Sequence, residues 1–386
     1  MRITFLAHNL VGQGGLIGGK NFINALAKED FGHQYLITIP QGRGYEDIIL
    51  PNGSSYYICT PTNTLTLRQR FILDSREIPS AIRKFKADVV MGLGNHGLTN
   101  IDCPQALWVR NGYLVYPYKH FSTASLRTKL HVLLQRLYFK HTLKKTGILF
   151  CQTPVMKKRI ADYYKFDEDR IEILPNAISE FIDTKRIDTA IIPKGIERDK
   201  FNCLVLSQYY VHKNPEIILQ ACLKSADKLQ GVRFITTISE SDHVNAGKFL
   251  RKTRQDAKLK NMISNVGTIP HHQLMSYYSN VDLIIMPTLI ESFSVTYLEA
   301  MNFGVPILTT DLDFGHYLCG NAASYYNPWK VDDFVERIIE LKSNNELRRQ
   351  LVKNAKLHIN NFQYDWNDMV KIGINNLEKL CKNGNL

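Results

Sequence analysis

Val281-Asp-Leu-Ile-Ile-Met-Pro-Thr-Leu-Ile-Glu-Ser-Phe-Ser-Val-Thr-Tyr-Leu-Glu299 reads as a strand, a loop and a helix in succession. Val281 to Met286 is a short apolar run closed by Pro287, the pattern of a strand buried on both faces. Thr288 to Ser292 is loop, and Ser294 to Phe303 is helical and stops at Gly304. Glu291 and Glu299 therefore bracket a helix start. A helix N-terminus presents unpaired N–H donors and the positive end of its dipole, so the backbone around Ser292, Phe293, Ser294 and Val295 forms an anion site. Glu299, one turn in, offers two oxygens to a sugar diol, and Glu291 meets a second polyhydroxylated ring. A phosphate held between two sugars is a nucleotide sugar. One Glu in a first turn is explained by the dipole alone. Two around an anion site, followed by Ala300-Met-Asn-Phe-Gly-Val-Pro306, ask for more.

Outward from this unit, strand-like runs alternate with helical ones: Ile3 to Ala7 then Asn21 to Lys28; Tyr35 to Ile39; Val89 to Leu93; Gly147 to Cys151 then Val155 to Tyr163. The series restarts at Phe201 to Ser207 and continues through Glu216 to Leu223, Phe234 to Ile238, Pro306 to Thr310 and Asp332 to Leu341. Such alternation predicts an α/β chain of two Rossmann-like, doubly wound domains facing a central cleft, where ligands meet the carboxyl ends of the strands. The boundaries are placed at 1–182 and 201–364, with 183–200 as linker because it mixes charge with Pro193 and Gly195 and lacks periodicity. A length of 386 residues with 44% apolar residues agrees with two cores.

Lys and Arg (48) outnumber Asp and Glu (36), a balance of +12 that favours anionic partners. Seven cysteines without a close pair fit neither a disulfide framework nor a zinc site, and imply a reducing, cytoplasmic compartment. No run approaches the roughly 18 apolar residues of a membrane span. Any membrane contact is expected to be peripheral, on the inner face. Leu126 to Lys145 reads as a basic amphipathic helix, with Leu126, Leu130, Leu133, Leu134 and Leu137 at helical spacing among Arg127, Lys129, Arg136, Lys140, Lys144 and Lys145. It packs on its own domain or meets an anionic membrane surface. No nucleic-acid signature accompanies it.

The loop Val11-Gly-Gln-Gly-Gly-Leu-Ile-Gly-Gly-Lys20 permits close backbone approach to a phosphate, or is merely a flexible turn. The dinucleotide fingerprint fails, because Ile17 stands where its last glycine belongs. Ser207-Gln-Tyr-Tyr-Val-His-Lys213 runs from a strand into Asn214-Pro215, an N-cap and N1 pair, which sets Lys213 at a helix mouth facing a diphosphate. Gln208 adds a neutral hydrogen bond. His96, in Gly92-Leu-Gly-Asn-His-Gly97, reaches the cleft or is structural. Asp311-Leu-Asp313 is too sparse to predict a metal.

In combination these residues resemble the retaining GT-B glycosyltransferases of family 4 type, glycosyl transferases group 1. The resemblance rests on Gly18-Gly19, Leu174-Pro-Asn-Ala-Ile178, Lys213, Val266-Gly-Thr-Ile-Pro270, and the E-x7-E pattern from Glu291 to Glu299 followed by Gly304-Val-Pro306. It implies a donor site in the second domain made of Gln208, Lys213, Ile269, Ser292 to Val295 and Glu299, to which Gly18 and Gly19 of the first domain add. There Lys213 meets the diphosphate, Glu299 the ribose and Glu291 the donor sugar. It further implies net retention, no cofactor or metal, and a C-terminal helix, here 365–386, crossing back to the first domain. Two positions depart from the family. Gln208 stands where an Arg is common, and Arg110-Asn111-Gly112 replaces a common His, so that Arg110 or Asn111 takes over its sugar contact.

The expected reaction moves a sugar from a nucleoside-diphosphate sugar to a saccharide or lipid-linked saccharide, as in bacterial surface polysaccharide or lipopolysaccharide synthesis. Lys213 and Glu291 are the catalytic pair. A nucleotide-sugar epimerase on the same fold, converting donor without acceptor, and a non-catalytic nucleotide-sugar or polyanion-binding protein are the alternatives.

Overall fold

The computed structural model describes residues 1–177 and 192–383. The expected linker, 183–200, lies in part outside them. The chain divides into two compact units, one made of 1–116, 125–177 and the C-terminal segment from Tyr364, the other of 117–124 and the residues up to Gln363.

In the first unit the strands are β1 (Arg2–Leu6), β2 (Gln34–Pro40), β3 (Ser55–Cys59), β4 (Val89–Gly92), β5 (Gln105–Val109), β6 (Thr146–Cys151) and β7 (Ile171–Ile173). They form one sheet in the order β3-β2-β1-β4-β5-β6-β7, and every pairing is parallel. Its helices are α1 (Gln13–Lys28), α2 (Leu67–Ile72), α3 (Ile78–Phe85), α4 (Leu126–Leu143) and α5 (Pro154–Tyr164). Central strands such as β1 and β5 are buried on both faces because helices cover both sides of the sheet. One face packs Phe5, Ile37 and Trp108 against Phe22 and Leu26 of α1 and against Met369, Ile374 and Leu377 of the last helix of the chain. The other packs Leu6 and Val90 against Leu73, Ile78 and Ile82.

In the second unit β8 (Phe201–Val205), β9 (Val232–Thr236), β10 (Ile263–Asn265), β11 (Leu283–Met286), β12 (Ile307–Thr310) and β13 (Ala323–Tyr326) pair in the order β10-β9-β8-β11-β12-β13, again all parallel. The helices are α6 (Glu216–Ser225), α7 (Ala246–Gln255), α8 (Ala257–Met262), α9 (His271–Tyr278), α10 (Val295–Asn302), α11 (Asp313–Cys319), α12 (Val331–Ser343) and α13 (Asn345–His358). The last helix, α14 (Trp366–Asn383), lies in the first unit on α1 and β4. In a sheet of this kind the strand order reverses at one place, and the loops there open a crevice. The reversal falls between β1 and β4 in the first unit and between β8 and β11 in the second.

Three local expectations change. The glycine-rich stretch is not a loop: α1 begins at Gln13, eight residues before the predicted start at Asn21. Gly14, Gly15, Gly18 and Gly19 lie inside it, because close packing on the sheet outweighs their weak helix propensity. Asn214 is not an N-cap. It takes the left-handed conformation (φ 51°) closing a 3-10 turn at Val211–Lys213, and Pro215 precedes the helix. Finally, α4 does not pack on its domain through its leucines. Leu126, Leu130, Leu133, Leu134 and Leu137 are exposed, while Val132, Arg136, Phe139 and Leu143 on the opposite side are buried. Arg136 is tolerated inside because its guanidinium donates to the carbonyls of Tyr113 and Tyr116. All seven cysteines are free thiols, and no helix among the described residues is long and apolar enough to cross a membrane.

Candidate functional site

At the reversal in the second unit two loops meet, one after β8 and one after β11. They are clasped by the backbone. The Leu289 N–H donates to the His212 carbonyl at 2.7 Å, and the Thr288 hydroxyl lies 3.0 Å from the Ile290 carbonyl and 3.4 Å from that of His212. The clasp sets Lys213 beside Glu291. Their ammonium and carboxylate are 2.6 Å apart, with side chains 20% and 12% exposed. At that length the bond is charge-assisted, and the residual exposure leaves both groups within reach of a solute. His212, between the clasp and the lysine, is held neutral, its pKa pulled down to about 3 by burial and then by the Lys213 charge.

Glu291 leads into α10, which starts at Val295 with Ser294 as an extended N-cap whose side chain makes no capping bond. No side chain therefore occupies the mouth of α10 as a cap. Phe293 is buried against Phe362, ring centroids 6.2 Å apart, so only its backbone is left for a ligand. Ser292 is buried, and Val295 packs on the core of this unit. One turn on, Glu299 is buried (8% exposed) and accepts from the Tyr278 hydroxyl at 2.7 Å. Tyr278 stacks on Phe303, centroids 5.0 Å apart and planes 6° apart, and its phenol is pushed well above its ordinary pKa by burial and then by Glu299. A neutral phenol donating to one oxygen fixes the carboxylate without neutralising it. Sequence reading missed Tyr278, because an aromatic in Tyr277-Tyr278 at a helix end is indistinguishable from core.

Around this group, Gln208 accepts from the Tyr210 hydroxyl at 3.1 Å, and Ile269 is a half-buried support on the core. Asp311 pairs with His316 at 2.6 Å, while Asp313 opens α11.

The residues of the first unit fall into two places. Gly18 and Gly19 sit in the second turn of α1, where their N–H groups are spent on the helix ladder. A Cβ at Gly18 would come 2.5 Å from Arg110 Nη1, and one at Gly19 2.5 Å from Tyr45 Oη. They are glycines because side chains pack there. Arg110 is inserted beneath α1, 4.7 Å over the Trp108 ring, with Nη2 donating to Gly15 O at 3.3 Å; burial lowers its pKa to about 10. Asn111 caps the next turn by accepting from Tyr113 N–H, and both Arg110 and Asn111 donate their backbone N–H to Asn95 Oδ1 at 2.6 and 2.8 Å. These are packing and capping duties. His96 lies elsewhere, in a pocket at the β1/β4 reversal.

Comparison with known proteins agrees with this organisation. Residues 187–358 match the family described as glycosyl transferases group 1. A D-inositol 3-phosphate glycosyltransferase of Pseudarthrobacter chlorophenolicus is 24% identical over 163 residues, covering 42% of this chain and 39% of that protein. An O-antigen chain mannosyltransferase of Salmonella typhimurium is 22% identical, covering 50% and 52%. The chain thus spans about half the length, or less, of these curated relatives. Among solved structures, a sucrose-phosphate synthase from Thermosynechococcus elongatus superposes with a TM-score of 0.74 at 14% identity over 98% of this chain and 99% of its own. WaaG, a glycosyltransferase involved in lipopolysaccharide biosynthesis, does so with 0.68 at 16% over 97% and 99%. Residues 187–358 thus match the glycosyl transferases group 1 family, on a chain with the GT-B fold.

Proposed function

We propose that this chain is a retaining glycosyltransferase that moves a sugar from a nucleoside-diphosphate sugar to a hydroxyl of a saccharide or lipid-linked saccharide. The observation that carries the reading is the Lys213–Glu291 pair at 2.6 Å beside the mouth of α10, which no side chain caps, with Glu299 fixed one turn further in. A diphosphate is the ligand that exchanges for a carboxylate on a lysine and also accepts from a helix N-terminus. On donor binding the diphosphate takes Lys213, Glu291 is released toward the sugar, and Glu299 receives the ribose hydroxyls. The bond from the anomeric carbon to the diphosphate oxygen then breaks as the acceptor oxygen bonds to the same face of that carbon. The acceptor proton passes to the departing phosphate. Lys213 and the helix donors stabilise the charge that develops there.

The acceptor belongs to the first unit in this reading, and the exposed leucine stripe of α4 with Arg127, Lys129, Lys140 and Lys144 supports contact with an anionic membrane surface. The relatives named above point the same way: they include an O-antigen chain mannosyltransferase, and WaaG, which shares the fold, is involved in lipopolysaccharide biosynthesis.

Thermal unfolding against UDP-, GDP-, ADP-, CMP- and dTDP-sugars tests the donor site. A ligand at about 100 times its dissociation constant adds roughly 2.7 kcal/mol of stability. Stabilisation by one nucleotide family, lost in Glu299→Gln, is expected; none with any donor overturns the proposal. Donor conversion without acceptor would instead mark an epimerase, and binding without turnover a binding protein.

A further inference from the structure

The β1/β4 reversal holds a pocket of about 350 Å³ that the donor chemistry does not use, a volume within the range of small-molecule sites. Its floor comes from the strand ends: His8 and Asn9 after β1, His96 after β4. Its walls are α2 with the turn that follows it, and one flank of α4.

The floor is polar and incompletely satisfied. His8 is engaged, with Nδ1 2.8 Å from the Thr38 hydroxyl and Nε2 3.2 Å from Asp74. By contrast, Nδ1 of His96 and Oδ1 of Asn9 are buried and have no hydrogen-bond partner among the described residues. Buried polar atoms without partners are rare and costly, so two in one pocket call for a ligand or water to satisfy them. Arg70 also lines the pocket, and its guanidinium makes no hydrogen bond or ion pair among the described residues, since the nearby Asp74 is turned to His8. Among the described residues no group of three His, Cys, Asp or Glu side chains is arranged to hold a metal ion. The rim is apolar and open: Leu67 is 89% exposed, Phe71 69% and Leu134 56%. Leu134 belongs as well to the exposed leucine stripe of α4, so the rim continues into that stripe.

We propose that this pocket binds an amphiphilic phosphate ester, its phosphate on Arg70, a hydroxyl of its head on His96 and Asn9, and its apolar chain leaving across Leu67, Phe71 and Leu134. An arginine fork matches phosphate geometry, and an alkyl chain covers the exposed rim. As the acceptor's seat the pocket rests on the transferase reading; as a binding site it does not.

Dodecyl phosphate below its micellar concentration, titrated calorimetrically into the full chain, is the probe. Glucose 1-phosphate carries the head without the chain, and dodecyl maltoside carries chain and hydroxyls without the charge. Both should bind at least about tenfold more weakly, as should dodecyl phosphate to Arg70→Gln and to the doubly substituted Leu67→Ser, Phe71→Ser. These positions are at the rim, and unchanged unfolding without ligand verifies the fold. Undiminished binding to Arg70→Gln, or glucose 1-phosphate binding as tightly as dodecyl phosphate, overturns the proposal, as does no binding of dodecyl phosphate to the unsubstituted chain. Stabilisation by a nucleotide sugar, read in the same samples, separates the two readings. If it is absent while dodecyl phosphate binds, the transferase reading falls and the pocket stands.

Discussion

The two sheet reversals of this chain are built alike and left in opposite states. In the second unit the loops after β8 and β11 bring Lys213 and Glu291 together, and Glu299 is held by Tyr278, so each charge has a partner in the resting protein. In the first unit the loops after β1 and β4 leave Asn9 Oδ1 and His96 Nδ1 buried without partners among the described residues. A paired site makes its ligand displace a protein group and so discriminates against weak anions. An unpaired site carries a desolvation cost of about 1–3 kcal/mol per group that a ligand relieves.

The largest effect that tests this contrast is on turnover. Lys213→Ala and Glu299→Gln should each lower kcat/KM for transfer by about 10²-fold or more, the scale of losing one preorganised charge-stabilising group. Near-normal turnover in both, measured on protein with an unshifted unfolding midpoint, would break the donor half of the comparison. Glu291→Gln sharpens it. Removing the competing charge from Lys213 should tighten binding of the bare nucleoside diphosphate severalfold while transfer slows, because displacement becomes easier and sugar positioning is lost. Weaker diphosphate binding in Glu291→Gln would show that the pair does not compete with the ligand.

Each reversal also holds a histidine kept neutral, which gives a pH readout of both. Burial is the first cause at each. His96 is lowered to about 4 and His212 to about 3 from 6.5. Below pH 6.5 the unfolded chain takes up protons on these residues that the folded chain refuses, so stability falls as pH drops from 6.5 toward 4 and returns as pH rises. A combined loss of about 1–3 kcal/mol over that window is expected from chemical denaturation, allowing for solvent relaxation. His96→Gln and His212→Gln should each remove part of it. A pH slope unchanged in both would place the titration in other groups.

How much of this was legible in the sequence follows from how local each feature is. The strand–loop–helix from Val281 to Phe303 was readable because its signals lie in one stretch, and α10 begins and ends within about a residue of the expectation. Lys213 beside Glu291 needed the parallel β8/β11 pairing, which alternating strands and helices do imply. Tyr278 on Glu299 depends on how α9 packs, which no local pattern encodes. In the first unit the signals misled. Five glycines looked like a loop because glycine is a poor helix former, yet Gly18 and Gly19 are small so that Arg110 and Tyr45 can pack against α1. The leucines of α4 gave the periodicity of a packed face, but the buried side is carried by Val132, Arg136 and Phe139, and a buried arginine cannot be foreseen without the carbonyls it serves. The excursion of 117–124 into the second unit, where Lys119 and His120 meet Trp329, left no mark in composition.

The glycines of α1 separate packing from conformation within one helix. A methyl at Gly18 would press on Arg110 Nη1 at 2.5 Å, an overpacking expected to cost about 1–3 kcal/mol, read as a lower urea midpoint. Gly14 has nothing within 4 Å of where a Cβ would stand and is exposed in the first turn. There an alanine limits the freedom of the unfolded chain without a clash and should stabilise by about 0.4–1 kcal/mol. Opposite signs at two glycines four residues apart would establish that only the second turn is held tight by packing. If Gly14→Ala instead destabilises, the free backbone of the first turn is itself under constraint, and the mouth of α1 would resemble that of α10 more than the packing around Arg110 suggests.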